Sequence, residues 1–195
     1  MNDDEKINRA KDFRNKIQSF FKDANSDELN QKSSQVVLRV LELFKSVRAQ
    51  SIAGYKNLND EVDITEILLQ VLKLDLELFL PKVSILTNTM VFYKIKNLNT
   101  DLSKGSFGIE EPQGELEKLR SEPDLILIPG RVFSTKMQRL GRGKGFYDTY
   151  LKGNVHSIKA GVCFEEQLMH NDLPQHKNDI LMDYIITDKN IYSAK

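Results

Sequence analysis

The sequence predicts an α/β protein built on an open, mostly parallel sheet with helices on both faces, preceded by a helical segment over residues 1–47. From residue 51 onward, short apolar runs alternate with helical patterns, the signature of right-handed crossover units. Leu125-Ile-Leu-Ile128 is continuously apolar, as a central strand covered on both faces requires, and Pro129-Gly130 ends it. The first 47 residues, by contrast, show only helical periodicity.

Taken in order, Ile7, Ala10, Phe13, Ile17, Phe20 and Phe21 recur at spacings of three or four and place an amphipathic helix over residues 4–22. Ser26 reads as an N-cap, with Asp27 and Glu28 favourable in a first turn, for a second helix through Val36, Val37, Val40, Leu41 and Phe44. Strand signals follow at 51–55, at 76–80 closed by Pro81, and at 90–95, with a helix over 64–72 between the first two. Residues 96–114 are rich in Asn, Gly, Ser and Pro and read as one long loop, a common location for binding elements. Two further strands are expected at 157–164 and 184–187. With 195 residues and no repeat or linker, the chain is expected to form one domain over 1–195.

Composition narrows the function classes. The formal net charge is zero, so no global field favours nucleic acid or an anionic membrane, and any anion site must be local. The single cysteine, Cys163, rules out an intramolecular disulfide and suits a reducing compartment. No apolar run approaches the roughly 20 residues needed to span a bilayer. The expectation is a soluble, cytoplasmic monomer without nucleic-acid or membrane partners. His156, His170 and His176 form no metal-ligand spacing.

The densest chemistry lies in Arg139-Leu-Gly-Arg-Gly-Lys-Gly-Phe-Tyr-Asp148, with three glycines and three cations in ten residues. It is not a Walker loop, because Gln138 stands where glycine is needed and Gly145 follows the lysine. It is not a dinucleotide fingerprint, because Phe146 stands at the third small position. Two readings stay open: a solvated basic turn, or a phosphate cradle in which backbone N–H groups and a helix N-terminus meet an anion clamped by cations. Asp148, one turn into the following helix, either complements the helix dipole or binds a magnesium ion.

Together with Leu127-Ile-Pro-Gly130 and Phe133, this loop resembles the signature of the 5-formyltetrahydrofolate cyclo-ligase family. Asp60-Glu-Val-Asp63, Phe107-Gly-Ile with Glu111-Pro112, Gly161-Val-Cys-Phe-Glu-Glu-Gln167, Asp179 and the Lys11/Arg14 pair extend the resemblance over nearly the whole chain. It implies a Rossmann-like three-layer fold. It also implies an ATP- and Mg2+-dependent closure of 5-formyltetrahydrofolate to 5,10-methenyltetrahydrofolate, with ADP and phosphate released through an imidate phosphate.

By the same resemblance, ATP would be bound by Lys11, Arg14, Arg139, Leu140, Gly141, Arg142, Gly143, Lys144, Gly145, Phe146 and Tyr147. Arg142, Lys144 and Tyr147 would act in catalysis. Tyr55, Glu61, Phe107 and Tyr147 would hold the folate, with Glu61 on the pterin, and Asp148 and Asp179 would carry magnesium. Relatives commonly have Tyr at position 146, Asp at 134 and small residues near 131, 132 and 137. Here Arg131 and Lys136 make that segment more basic, so a non-catalytic nucleotide- or folate-binding protein on the same scaffold is the alternative. A folate's glutamate tail is anionic, and Arg131 or Lys136 would match it by charge alone.

Overall fold

The computed structural model describes residues 2–105 and 108–194. Helices α1 (Asp3–Asp23) and α2 (Ser26–Val47) open the chain. Asn2 caps α1 in a reciprocal box with Glu5. The cap of α2 is Asn25, whose side chain accepts from the Asp27 N–H, so Ser26 becomes the first helical residue instead of the cap. Asn and Ser cap about equally well, and the helix takes the extra residue.

A seven-stranded sheet follows, built from β1 (Ser51–Ala53), β2 (Glu77–Ser84), β3 (Thr89–Ile95), β6 (Leu125–Pro129), β9 (Ile158–Val162), β11 (Tyr184–Ile186) and β12 (Ile191–Ser193). Its order is β12-β11-β9-β6-β1-β2-β3, with antiparallel strands only at the two edges. The expected mostly parallel sheet is therefore present. Helix α3 (Thr65–Lys73) makes the β1-to-β2 crossover. The chain departs from β1 in one direction to β2 and returns on its other side with β6, so strand order reverses between β1 and β6.

Alternation along the central strands sends residues to two cores. Leu125 and Leu127 pack with Val36, Val40, Ile67 and Leu68 of α2 and α3. Ile126 and Ile128 face the opposite way, toward Phe133, Leu168 and Leu151. That second face is covered by α4 (Phe146–Leu151) together with a small sheet of β7 (Val132–Ser134), β8 (Arg139–Leu140) and β10 (Leu168–Met169). Helix α1 lies outside this sheet, with Ala10 and Ile17 against Val132, Leu140 and Leu173.

Two expectations need correction. Pro81 does not end its strand: β2 continues to Ser84, with Pro81 opposite Phe92 of β3. β1 pairs only as far as Phe79, so Pro81 lies on an edge where its missing N–H breaks no bond. The long loop also contains a hairpin of β4 (Leu102–Lys104) and β5 (Glu110–Pro112). Asp101 anchors its base by accepting from the backbone N–H groups of Lys96 and Asn97 at 2.8 and 2.9 Å.

Phe133 joins the small sheet to the large one. A Cβ on Gly161 would lie 2.4 Å from the ring's Cε1, and one on Gly130 would lie 2.6 Å from its Cζ. Gly161→Ala is therefore expected to cost about 1–3 kcal/mol by overpacking a fully buried ring. Urea unfolding measures it, and a midpoint equal to that of the parent chain would show that the ring relaxes freely.

Candidate active site

A cavity of about 940 Å³ opens at the carboxyl ends of β1 and β6, where strand order reverses and open α/β sheets place their ligands. Its walls come from the segment after β1 (Tyr55, Glu61), the turn after β6 (Gly130) and the glycine-rich loop. The β2–β3 hairpin adds Pro81, Val83 and Met90. On α1, Ile7, Ala10 and Arg14 contribute; spaced by three and four, they share one helix face.

The loop lies open. Gly143 and Gly145 have φ of 93° and 72°, the left-handed region where a Cβ would be strained. Among the described residues, no hydrogen bond engages the backbone N–H groups of Gly141 through Gly145. They form a run of donors beside the cavity, the arrangement that suits a phosphate. The helix after them, α4, has only six residues. Its dipole is correspondingly small, so the loop amides and cations, more than the helix end, would carry anion binding.

The cations differ in their commitments. Arg139 is 4% exposed; its Nη2 donates to Asp148 Oδ2 at 2.8 Å, and its guanidinium lies 5.5 Å from the Tyr147 ring centre. Arg14 Nε donates to the Gly141 carbonyl at 2.8 Å. Burial and the nearby Arg131 lower the Arg14 pKa, with Asp179 opposing them. Arg142 reaches across the cavity to the other segment, donating to Glu61 Oε1 from Nε and Nη2 at 3.3 and 3.2 Å and to Asp60 Oδ1 from Nη2. Burial opposes its charge, yet the two acids outweigh burial and raise its pKa. Lys144 is exposed and makes no ion pair with any described residue.

On the segment after β1, Glu61 is 9% exposed and its Oε2 accepts from the Leu58 N–H at 3.0 Å. Burial raises its pKa above the ordinary value, outweighing the Leu58 N–H and Arg142. Tyr55 donates to the Val62 carbonyl at 3.0 Å. Burial pushes the phenols of Tyr55 and Tyr147 well above their usual range, with Glu61 adding to the effect, so both are neutral at physiological pH. Tyr147 can thus offer a ring wall and a hydroxyl, but not a base.

Most of the sequence-named positions converge on this cavity: Arg14, Tyr55, Glu61, Arg139 through Asp148, and Asp179 all line it. Lys11 does not line it and is exposed beside the Ile7–Ala10–Arg14 stripe. Phe107 lies outside the described residues. Sequence reasoning missed His176 and Lys152, which also line the cavity, and the apolar wall of the β2–β3 hairpin. Asp60, quoted within Asp60-Glu-Val-Asp63 but given no role of its own, does not line the cavity and meets it through Arg142.

Asp148 and Asp179 both reach the wall, and Asp148 Oδ1 is 3.5 Å from the backbone N of Ile180, the neighbour of Asp179. Magnesium on a nucleotide takes one or two carboxylates and fills its shell with phosphate and water. Two hard oxygen donors beside an open amide loop fit that pattern. Among the described residues, no cluster of three or more His, Cys, Asp or Glu side chains forms an all-protein metal cage.

The atypical segment 131–138 does not form part of the wall. Arg131 is 6% exposed and pairs with Asp60, and Lys136 pairs with Asp172 at 2.8 Å. Arg131 is buried against Asp60 and is not open to an anionic glutamate tail, whereas Lys136 and Asp172 form an exposed surface pair. No helix among the described residues is long and apolar enough to cross a membrane.

The sequence profile of the 5-formyltetrahydrofolate cyclo-ligase family matches residues 6–188. A probable 5-formyltetrahydrofolate cyclo-ligase of Schizosaccharomyces pombe is 28% identical, covering 84% of this chain and 87% of its own length. The mouse 5-formyltetrahydrofolate cyclo-ligase is 26% identical over 92% of this chain and 94% of its own. The NMR structure of Aquifex aeolicus 5,10-methenyltetrahydrofolate synthetase superposes with a TM-score of 0.82 at 33% identity, covering 94% of this chain and 92% of that one. A 5,10-methenyltetrahydrofolate synthetase from Mycoplasma pneumoniae shares the fold, with a TM-score of 0.73 at 21% identity over 92% of this chain and 98% of its own. With a mostly parallel sheet, a cavity at its switch point and a family match along almost its full length, the chain belongs to the 5-formyltetrahydrofolate cyclo-ligase family.

Proposed function

We propose that the chain converts 5-formyltetrahydrofolate to 5,10-methenyltetrahydrofolate, consuming ATP and releasing ADP and phosphate. The observation that carries this reading is the open amide loop with its cations facing Tyr55 and Glu61 across one cavity. A phosphate-binding element and a folate-binding element are thereby held within reach of one another.

The chemistry needs both. A formamide oxygen is a poor leaving group. Its attack on the γ-phosphorus forms a P–O bond, breaks the bond to the bridging oxygen and expels ADP. The folate N10 then attacks the formyl carbon, the C–O bond breaks, and phosphate leaves with the former formyl oxygen while N10 loses its proton. Phosphoryl transfer asks the protein mainly for alignment and for cations on the equatorial oxygens. In this reading the loop amides and Arg14 align the triphosphate, while Lys144 and Arg142 neutralise the transferring group. Glu61 accepts from the pterin donors, and the Tyr55 and Tyr147 rings wall the folate. Asp148 and Asp179 would hold Mg2+, which when bound screens the phosphate oxygens. Arg139 holds Asp148 Oδ2 and so fixes the orientation of that carboxylate.

A heavy-oxygen label in the formyl group tests the phosphorylated intermediate. The label is expected in the released phosphate, whereas its recovery in water alone would contradict this route.

Glu61 gives a pH prediction. It must be ionised to accept from the pterin, and its raised pKa brings protonation on at a higher pH than for a free glutamate. Folate affinity is expected to fall as pH drops through that value, and Glu61→Gln to bind weakly with no such step; fluorescence titration across pH measures both. For stability the sign is reversed, because a carboxyl with a raised folded pKa favours the fold at low pH and loses that contribution as pH rises through it. An identical pH profile in Glu61→Gln would remove Glu61 from the folate site.

A further inference from the structure

We infer that Asp60 is a positioning residue that couples the nucleotide and folate sites through a single guanidinium. The inference rests on the proposed function and adds a link between its two substrates.

Asp60 is held from behind. Its Oδ2 accepts from Nη1 of Arg131, whose side chain is only 7% exposed. That arginine is itself fixed, with its N–H on the Leu140 carbonyl at 2.8 Å and its own carbonyl accepting from Gln167 Nε2 at 3.2 Å. The other Asp60 oxygen, Oδ1, accepts from Nη2 of Arg142. The loop carrying Arg142 has no backbone hydrogen bonds from its Gly141–Gly145 amides among the described residues. Beyond the Thr149 N–H on the Gly145 carbonyl at 2.9 Å, the loop is tied by side chains: Arg14 to the Gly141 carbonyl, and Arg142 to Asp60 and Glu61.

Glu61 and Asp60 hold Arg142 differently. Both contacts to Glu61 use the same oxygen, Oε1, while Oε2 is occupied by the Leu58 N–H. A folate donor arriving at Glu61 competes for Oε1 and releases Nε of Arg142, while Asp60 keeps Nη2 and stops the side chain from swinging into solvent. The freed donor is then beside the loop amides, where the triphosphate lies. Folate binding thus prepares the nucleotide site, and by linkage the nucleotide strengthens folate binding by the same factor.

The test is calorimetric and needs no turnover. A non-hydrolysable ATP analogue is titrated with magnesium into the full chain, alone and saturated with 5-methyltetrahydrofolate, which has the pterin but no formyl oxygen. The parent chain is expected to bind the analogue at least about fivefold more tightly with the folate present, within the usual range of such couplings. In Asp60→Asn the ratio is expected to fall to about one while each ligand still binds. Because that variant leaves Arg131 without its anion, Asp60→Asn with Arg131→Leu is measured in parallel and is expected to show the same loss of coupling. Equal affinities in the parent chain, or coupling retained in both variants, would overturn the inference. If the parent chain bound no folate at all, the functional reading itself would fall and take this inference with it.

Discussion

Asp148→Ala is expected to lose about 3 kcal/mol of stability as well as most of its turnover. The reason is Arg139, which is 4% exposed and donates to Asp148. Removing the acid strands a buried guanidinium, and breaking such a pair from one side costs about 3–5 kcal/mol. Asp148 is 22% exposed, so solvent can partly compensate and the low end applies. In a chain of this size that loss corresponds to a melting temperature lower by roughly 6–12 °C. Arg139→Met combined with Asp148→Ala is expected to recover most of the stability and none of the activity. Thermal denaturation of the single and double variants checks this directly. Equal stability in the two would show that a stranded guanidinium is not the source of the loss, and a single variant as stable as the parent chain would show that the ion pair does not matter to the fold and that Asp148 serves the site alone.

Lys144→Ala is expected to do the opposite, cutting turnover by about two orders of magnitude or more with stability unchanged. Lys144 is exposed and has no acidic partner among the described residues, so its removal strands nothing. Surface changes of that kind usually stay within about 0.5 kcal/mol. Loss of a preorganised charge at a developing transition state typically costs about 10²–10³ in rate. Initial rates at saturating ATP and folate, paired with a melting curve, separate the two effects. Near-parent turnover would remove Lys144 from the phosphoryl-transfer step and leave Arg142 as the remaining loop cation able to serve it.

The contrast between Asp148 and Lys144 shows how far the sequence could be read. Long amphipathic helices and the apolar strand at 125–128 announce themselves through periodicity, because repeated burial on one face leaves a repeated pattern. The glycine-rich loop announced itself through composition. The three-stranded sheet of β7, β8 and β10 did not, since strands of two or three residues are too short to show alternation. Pro81 misled because a proline is excluded from central strands but tolerated on an edge, and edge status depends on where β1 stops.

At the site, the sequence identified which residues gather but not how their charges are spent. Arg131 and Asp60 are 71 positions apart, and Arg142 and Glu61 are 81 apart. No local spacing encodes such pairs. They arise when the switch point of the sheet brings the segment after β1 against the turn after β6. That is also why Arg131 read as a cation open to an anionic substrate when its side chain is buried against Asp60.

The most direct test of the account mixes the purified chain with ATP, magnesium and 5-formyltetrahydrofolate and follows the near-ultraviolet absorbance of the methenyl product, with ADP assayed in parallel. Product is expected to form with an equal amount of ADP, and to require both ATP and the metal. ATP and folate binding without product or ADP would contradict the account and leave a phosphate cradle facing a folate wall with no reaction between them.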